Sequence, residues 1–294
     1  MSGPEPTPRV LRVDKPVGPT SHDVVGAVRR ALGTRRVGHT GTLDPFASGL
    51  LLVCVGSATR IAEHLTGLPK RYEATLRFGT ATDTDDRTGQ PVATDEAWRA
   101  LDADAVAAAL DGFRGEIQQA PPAYSAKKIQ GERAYRLARR GQAVAPAPVS
   151  VTVHAFELVE LALPTARFEV ACSSGTYIRA LARDLGTALG TSAHLTGLRR
   201  TRVGSHGVEG AVTLADLGDD AALAAASLTP LEALAHLPTL RVDDAAAAEL
   251  AHGRAVPAPA DAPEGVRAAV AWQGRLHALA DVSQGALRPR KVFA

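Results

Sequence analysis

The sequence lacks most of the patterns that announce a cofactor or a metal. Its nine histidines are scattered, and neither a His-x-x-x-His nor a Cys-x-x-Cys pair occurs. The ligand spacing of a metal centre is therefore missing, and no metal is expected. Gly38 to Gly41 is followed by Thr-Leu-Asp instead of Gly-Lys-Ser/Thr, and no Gly-x-Gly-x-x-Gly is present, so a phosphate-cradling nucleotide loop is excluded. A Gly-x-Ser-x-Gly nucleophile elbow is absent too. The two cysteines, Cys54 and Cys172, lie in apolar strand-like runs and read as reduced core residues. No apolar run reaches membrane-spanning length, and residues 1–8 are polar and Pro-rich without the pattern of a secretion signal. A cytoplasmic location is the expectation.

What is present is ordinary in bulk and uneven in detail. The 294 residues, 45% hydrophobic and 22% charged, suit a globular protein of one large domain plus a small one, or of two domains of ordinary size. The formal net charge is only +2, yet residues 121–140 carry six basic side chains against Glu132 alone. Residues 211–294 carry seven basic and ten acidic. A basic segment on a near-neutral chain points to a polyanion docked at one place.

One carboxylate, Asp44, sits in a tightly specified loop. Gly38, Gly41 and Gly49 permit conformations or approaches that a Cβ forbids, and Pro45 biases Asp44 towards extended dihedrals. Residues 50–55 then form a continuous apolar run, the mark of a buried strand that anchors the loop. A single carboxylate without metal or nucleotide chemistry suits a reaction at a sugar or a base, as nucleophile or as stabiliser of an oxocarbenium-like centre.

Along the chain, residues 10–13 read as a strand, and Thr20 or Ser21 caps a helix with Val24, Val25, Val28 and Leu32 on one face. Ser57 is expected to cap a helix through Leu65. Residues 70–78 alternate as a half-buried strand, with Tyr72, Ala74, Leu76 and Phe78 facing one way. Asp83 to Asp86 with Gly89 reads as an acidic turn, followed by a helix over residues 94–110. A short basic helix is expected over 132–140, strands over 149–163 (with a turn) and 167–172, and helices over 177–189, 193–200 and 214–236. Residues 237–242 read as a strand, 243–252 as a helix, and 266–272 with 276–282 as a hairpin around Gln273-Gly274. Strands and helices mix without a regular repeat, so the class is α+β with a largely antiparallel sheet.

Four motifs stand in order: Gly38-His-Thr-Gly-Thr-Leu-Asp44-Pro-Phe-Ala-Ser-Gly49, Lys70-Arg-Tyr72, Tyr124-Ser-Ala-x-Lys128, and Cys172-Ser-Ser-Gly-Thr-Tyr177-Ile-Arg179. Together they resemble the TruB family, whose members convert uridine 55 in the T-arm of tRNA to pseudouridine. The resemblance implies a pseudouridine synthase fold, a mixed, largely antiparallel central sheet flanked by helices, over residues 1–236. It implies a basic RNA-clamp insertion near 121–145 and a small PUA-like, β-rich RNA-binding module over 237–294.

By the same resemblance Asp44 is the catalytic nucleophile, Arg179 pairs with it, and Tyr72 stacks on the base and assists proton removal. Tyr177 and Leu198 line the base pocket, and His39 contacts the T-loop. Lys15 is divided between support of the loop and support of the site. RNA contacts fall to Lys127, Lys128, Arg136, Arg139, Arg199, Arg200 and Arg202. The partner is a tRNA T-arm stem-loop extruding one base. No cofactor is implied, since the isomerisation is redox-neutral, and a monomer is expected. Two other readings stay open: a tRNA-binding folding factor with secondary or lost catalysis, and a small-molecule hydrolase using Asp44.

Overall fold

The computed structural model describes residues 7–122, 128–129, 132–133 and 147–293. Its first half is built around β1 (Arg9–Lys15), α1 (Ser21–Ala31), β2 (Val37–His39), β3 (Ser48–Val55), α2 (Ala62–Thr66) and β4 (Lys70–Phe78). After a small ladder of β5 (Thr80–Thr82) with β6 (Pro91–Thr94) come α3 (Ala103–Leu110) and β7 (Gly115–Gln119). A two-residue ladder joins β8 (Lys128–Ile129) to β9 (Glu132–Arg133). Then follow β10 (Val149–Ala162), β11 (Thr165–Cys172), α4 (Ile178–Ala188) and β12 (Ala193–Val203). The connection onward contains β13 (His206–Gly207), α5 (Asp220–Ala226), β14 (Ser227–Leu228) and α6 (Pro230–Ala233).

The large sheet runs β14-β1-β3-β12-β4-β11-β10-β7, with β2 on β3 and β13 on β12. Among the described residues its β3–β12 ladder is parallel and the others are antiparallel. This is the mixed, largely antiparallel α+β architecture expected. The apolar run of β3 is buried on both sides: Leu51, Val53 and Val55 pack with Val24, Val25 and Val28 of α1, while Leu50, Leu52 and Cys54 pack with Leu65 of α2. A strand covered on both faces has no reason to alternate. β4, covered by α4 on one face only, does alternate, with Tyr72, Ala74, Leu76 and Phe78 inward.

From Thr239 a second sheet has its own core. It comprises β15 (Thr239–Arg241), β16 (Val256–Pro257), β17 (Arg267–Trp272), β18 (Arg275–Ser283) and β19 (Ala286–Val292), ordered β15-β17-β18-β19-β16, with α7 (Asp244–Ala251) packed on it. Gln273 and Gly274 have φ of +47° and +73°, as a two-residue hairpin turn of the right twist requires. This sheet docks on the first: Leu276 and Leu279 share a core cluster with Leu65 and Leu68. Lys291 Nζ meets Glu63 at 2.5 Å, and Arg60 stacks 4.8 Å from the Phe293 ring centre.

Several expected helices are corrected. Residues 193–200 belong to the strand β12, whose register shifts between Leu195 and Gly197 and between Arg200 and Arg202. Each bulge resets the two-residue period, leaving a spacing that imitates a helix. Ser57 caps nothing; residues 56–61 are a 3-10 turn opening at Gly56, with α2 following. Thr94 ends β6, opposite Thr80, and α3 begins later, where the Asp102 carboxylate accepts the Ala105 N–H at 2.8 Å. Residues 149–162 are one unbroken strand that absorbs its irregularity in two bulges. The stretch 214–236 divides at Gly218 and at Pro230, where Thr229 starts a fresh capping box. Glu132 and Arg133 are strand; the rest of the expected basic helix lies outside the described residues.

A close approach of two backbones in the large sheet is at Gly49, where a Cβ would meet the Arg200 carbonyl oxygen at 2.2 Å with φ at +103°. Gly49→Ala should destabilise the fold by about 3 kcal/mol, read as a lowered urea midpoint at unchanged slope.

Candidate active site

Asp44 lies in the connection from β2 to β3, and neighbours hold that connection atom by atom. The Ser21 hydroxyl at the start of α1 donates to the Leu43 carbonyl at 3.0 Å and accepts the Leu43 N–H at 2.8 Å. The Gly18 N–H donates to the Pro45 carbonyl at 2.8 Å, and the Ala47 N–H closes a turn onto the Asp44 carbonyl at 3.1 Å. Fully buried Lys15 donates to the Ala47 carbonyl at 2.6 Å and the Pro16 carbonyl at 2.9 Å. Lys15 therefore serves both roles left open for it: it ties the loop and lends positive charge to Asp44. Of the three glycines read as essential, Gly49 meets a steric limit, whereas Gly38 has no atom within 4 Å of a virtual Cβ.

Arg179, one residue into α4, reaches the carboxylate with Nε 3.0 Å from Asp44 Oδ2. On its far side Nη1 donates to the Thr84 carbonyl at 2.9 Å and stands 3.5 Å from Asp86 Oδ2. The other Asp86 oxygen accepts from Thr84 Oγ1 at 3.0 Å, the Thr88 N–H at 2.9 Å and Thr88 Oγ1 at 2.5 Å. The guanidinium is thus held between two carboxylates. Asp86 was legible only as part of an acidic turn; its pairing with a residue 93 positions away leaves no local trace.

The Asp44 side chain is 38% exposed, and that of Arg179 only 6%. The exposed side of the carboxylate opens into a cavity of about 330 Å³. Tyr72, Tyr177, Leu198, Lys70 and Arg200 line it, with the backbone of residues 173–176. Burial raises the Asp44 pKa; Arg179 opposes this, Asp86 adds to it and Lys15 draws it down. Burial likewise pushes the Tyr72 hydroxyl up, against the pull of Arg200. Gln119 fixes the start of α4 through the Tyr177 backbone, accepting its N–H at 2.8 Å and donating to its carbonyl at 3.1 Å. Such an apolar slot with a buried ion pair at its floor can take a planar base and place its sugar against a carboxylate.

The expected residues separate into those the fold gathers and those it does not. Asp44, Tyr72, Tyr177, Arg179 and Leu198 share the cavity. His39 stands off its wall, half-buried, its Nδ1 accepting the Gly41 N–H at 3.3 Å, with its pKa lowered by burial first. Arg200, read as an RNA contact, is corrected: it is 2% exposed, and its guanidinium turns inward to the carbonyls of Leu50 and Gly41 at 2.8 and 3.1 Å. Its backbone lies in a central strand with chain on both sides, where one of two successive arginines must face in. Arg199 makes a forked pair with Asp14 at 3.1 and 2.7 Å, and Arg202 is exposed. Lys127, Arg136, Arg139 and the Lys128 side chain lie outside the described residues. Among the described residues no group of three or more His, Cys, Asp or Glu is placed to hold a metal ion.

A mixed sheet with an Asp–Arg pair beside a cavity is compatible with the class of pseudouridine synthases, and it is the similarity to known proteins that places the chain in that class. Residues 29–178 match the N-terminal domain model of TruB family pseudouridylate synthase, and residues 179–237 the C-terminal domain of tRNA pseudouridylate synthase B. The chain is 46% identical to tRNA pseudouridine synthase B of Thermobifida fusca over 97% of this chain and 98% of that one. Against the protein of the same name from Thiobacillus denitrificans it is 45% identical over 97% and 95%. Among solved structures it is similar to a chain of an H/ACA RNP bound to a substrate RNA containing 2′-deoxyuridine, with TM-score 0.75 and 28% identity over 97% of this chain and 85% of that chain. A chain of the archaeal box H/ACA sRNP Nop10–Cbf5 complex gives 0.73 and 30% over 97% and 86%. The chain belongs to the TruB family.

Lys70, also in the cavity wall, was quoted in a motif but given no role. Its ammonium donates to the carbonyls of Thr66 and Leu68 at 2.5 and 2.6 Å, and burial lowers its pKa to about 8. A lysine whose folded pKa lies below its unfolded value of 10.5 leaves the unfolded chain with more bound protons between those limits, so its contribution to stability rises with pH there. The stability of the native chain relative to Lys70→Met should therefore rise by about 2 kcal/mol from pH 7.5 to 9.5, measured by paired urea titrations.

Proposed function

We propose that this protein isomerises uridine 55 in the T-arm of tRNA to pseudouridine, with Asp44 as the nucleophile. The observation that carries the proposal is the Asp44–Arg179 pair at 3.0 Å, with its carboxylate facing the cavity walled by Tyr72, Tyr177 and Leu198. In the reaction the bond from ribose C1′ to uracil N1 breaks, the base turns, and C1′ joins C5. The C5 proton is lost and N1 gains one, so atoms and electrons balance without a redox cofactor. Arg179 opposes the rise that burial imposes on the Asp44 pKa, favouring the ionised form that a carboxylate acting as nucleophile requires. Tyr72 stacks on the flipped base and assists removal of the C5 proton. Tyr177 and Leu198 exclude water around it, and His39 contacts the T-loop.

Extrusion of a stacked base costs a few kcal/mol, which phosphate contacts offset. Those contacts we assign to Lys127, Lys128, Arg136, Arg139 and Arg202, and to the module over residues 237–294, whose separate sheet and core support its treatment as a domain. The protein acts as a monomer in the cytoplasm.

The purified chain should form pseudouridine in an unmodified tRNA transcript, mapped to one position by chemical derivatisation and primer extension. Product at another position would overturn the site assignment; bound tRNA without product would favour a folding factor. Asp44→Asn should lower turnover by at least about 10³-fold with tRNA affinity within about threefold, since the shape is kept and the charge removed. Reversing Lys127 and Arg136 to Glu should weaken binding and lower the slope of log K against log salt by about 2.

A further inference from the structure

Arg200 occupies a position the fold makes singular. It lies in β12, which inserts between the strand that follows the Asp44 loop and the strand that carries Tyr72. Its register partners are Gly49 of β3 on one side and Tyr72 of β4 on the other. Directly opposed residues on adjacent strands bring their Cβ atoms to about 5 Å, so guanidinium and phenol share one face. Both side chains line the cavity, and Arg200 is only 2% exposed. Its Nη2 donates to the Gly41 carbonyl at 3.1 Å and its Nε to the Leu50 carbonyl at 2.8 Å, bracketing the Asp44 loop at both ends. Nη1 stands 3.5 Å from the Thr42 carbonyl. The Arg200 charge draws the pKa of the facing Tyr72 hydroxyl down against the rise that burial imposes.

A buried arginine with no paired carboxylate in its hydrogen-bond set is costly to retain. Structural bracing of a loop alone does not require one that stands opposite Tyr72 in the sheet and shares the cavity wall with it. We propose that Arg200 is a positioning residue for the isomerisation, joining the Asp44 loop to the Tyr72 hydroxyl so that carboxylate and phenol keep one spacing as the base enters. This rests on the proposed reaction. The planar fork is what allows it: its N–H groups point in fixed directions to acceptors on two strands and a loop, a geometry lysine cannot reproduce.

The test compares native chain, Arg200→Lys, Tyr72→Phe and the double variant, each checked for folding by thermal melting, in steady-state turnover of unmodified tRNA. Arg200→Lys should lower kcat by about 10²-fold with KM within about threefold, as loss of alignment does. In the Tyr72→Phe background the same change should cost at least about threefold less, because part of its effect passes through the hydroxyl. A raised KM at native kcat, or an equal loss in both backgrounds, overturns the proposal. Absence of product from the native chain overturns the reaction instead, and a second readout does not depend on turnover. Hydrogen exchange at the Leu43 amide should quicken by at least about threefold in Tyr72→Phe, because the proposed link makes the hydroxyl a partner of the guanidinium that holds the loop. Unchanged exchange overturns the link, also where Arg200→Lys fails to fold.

Discussion

An ionised carboxylate at the floor of a cavity needs a cation that cannot leave. Arg179 meets that condition because it is held twice, by Asp44 on the cavity side and by Asp86 with the Thr84 carbonyl behind. Removing a carboxylate partner leaves the buried Arg179 charge short of compensation, a larger penalty than the pair's own net contribution. The arrangement has an internal tension: Asp86 steadies Arg179 but repels Asp44, and burial and Asp86 together raise the Asp44 pKa against Arg179 and Lys15. Lys15, buried beneath the loop, relieves part of that tension while spending its hydrogen bonds on the loop carbonyls. Charge balance and loop geometry are therefore one problem solved by one set of side chains.

The fold supplies this set through a single topological feature, the insertion of β12 between β3 and β4. β3 and β4 are neighbours in sequence and not in the sheet, and their separation opens the space in which Asp44 and Tyr72 face each other. A parallel ladder to β3 and an antiparallel one to β4 carry β12 through the centre. The close approach at Gly49 follows from that crossing, so the glycine acts as a spacer between two backbones, one of the two roles its place in the sequence suggests.

This feature also separates what was legible in the sequence from what was not. Asp44, Tyr72, Tyr177 and Arg179 stand in short contiguous motifs, and it is the resemblance of those motifs to the TruB family that singles them out. The strand β4 was legible because one covered face leaves a two-residue period. β12 was not, since two bulges erase that period and Leu195 and Leu198 then fall three apart, as on a helix. Arg200 inherited the error: placed on an exposed basic helix it reads as an RNA contact, whereas in a central strand it points inward. Asp86 was hidden for another reason, because its role depends on a partner across the fold and an acidic turn has an ordinary solvated meaning.

The C-terminal sheet is tied to the same centre by a short path. Lys291, Val292 and Phe293 of its last strand and tail meet Arg60, just before α2, and Glu63 in its first turn. At the other end of α2, Thr66 offers its carbonyl to Lys70, and both residues stand in the cavity wall. A five-residue helix is too short to hold itself in water, so its placement depends on Leu65 in the shared core and on these end contacts. The second sheet thus does more than extend the surface. By fixing α2 it helps fix the Lys70 wall of the cavity, which makes the docking of the two sheets part of the geometry of the site.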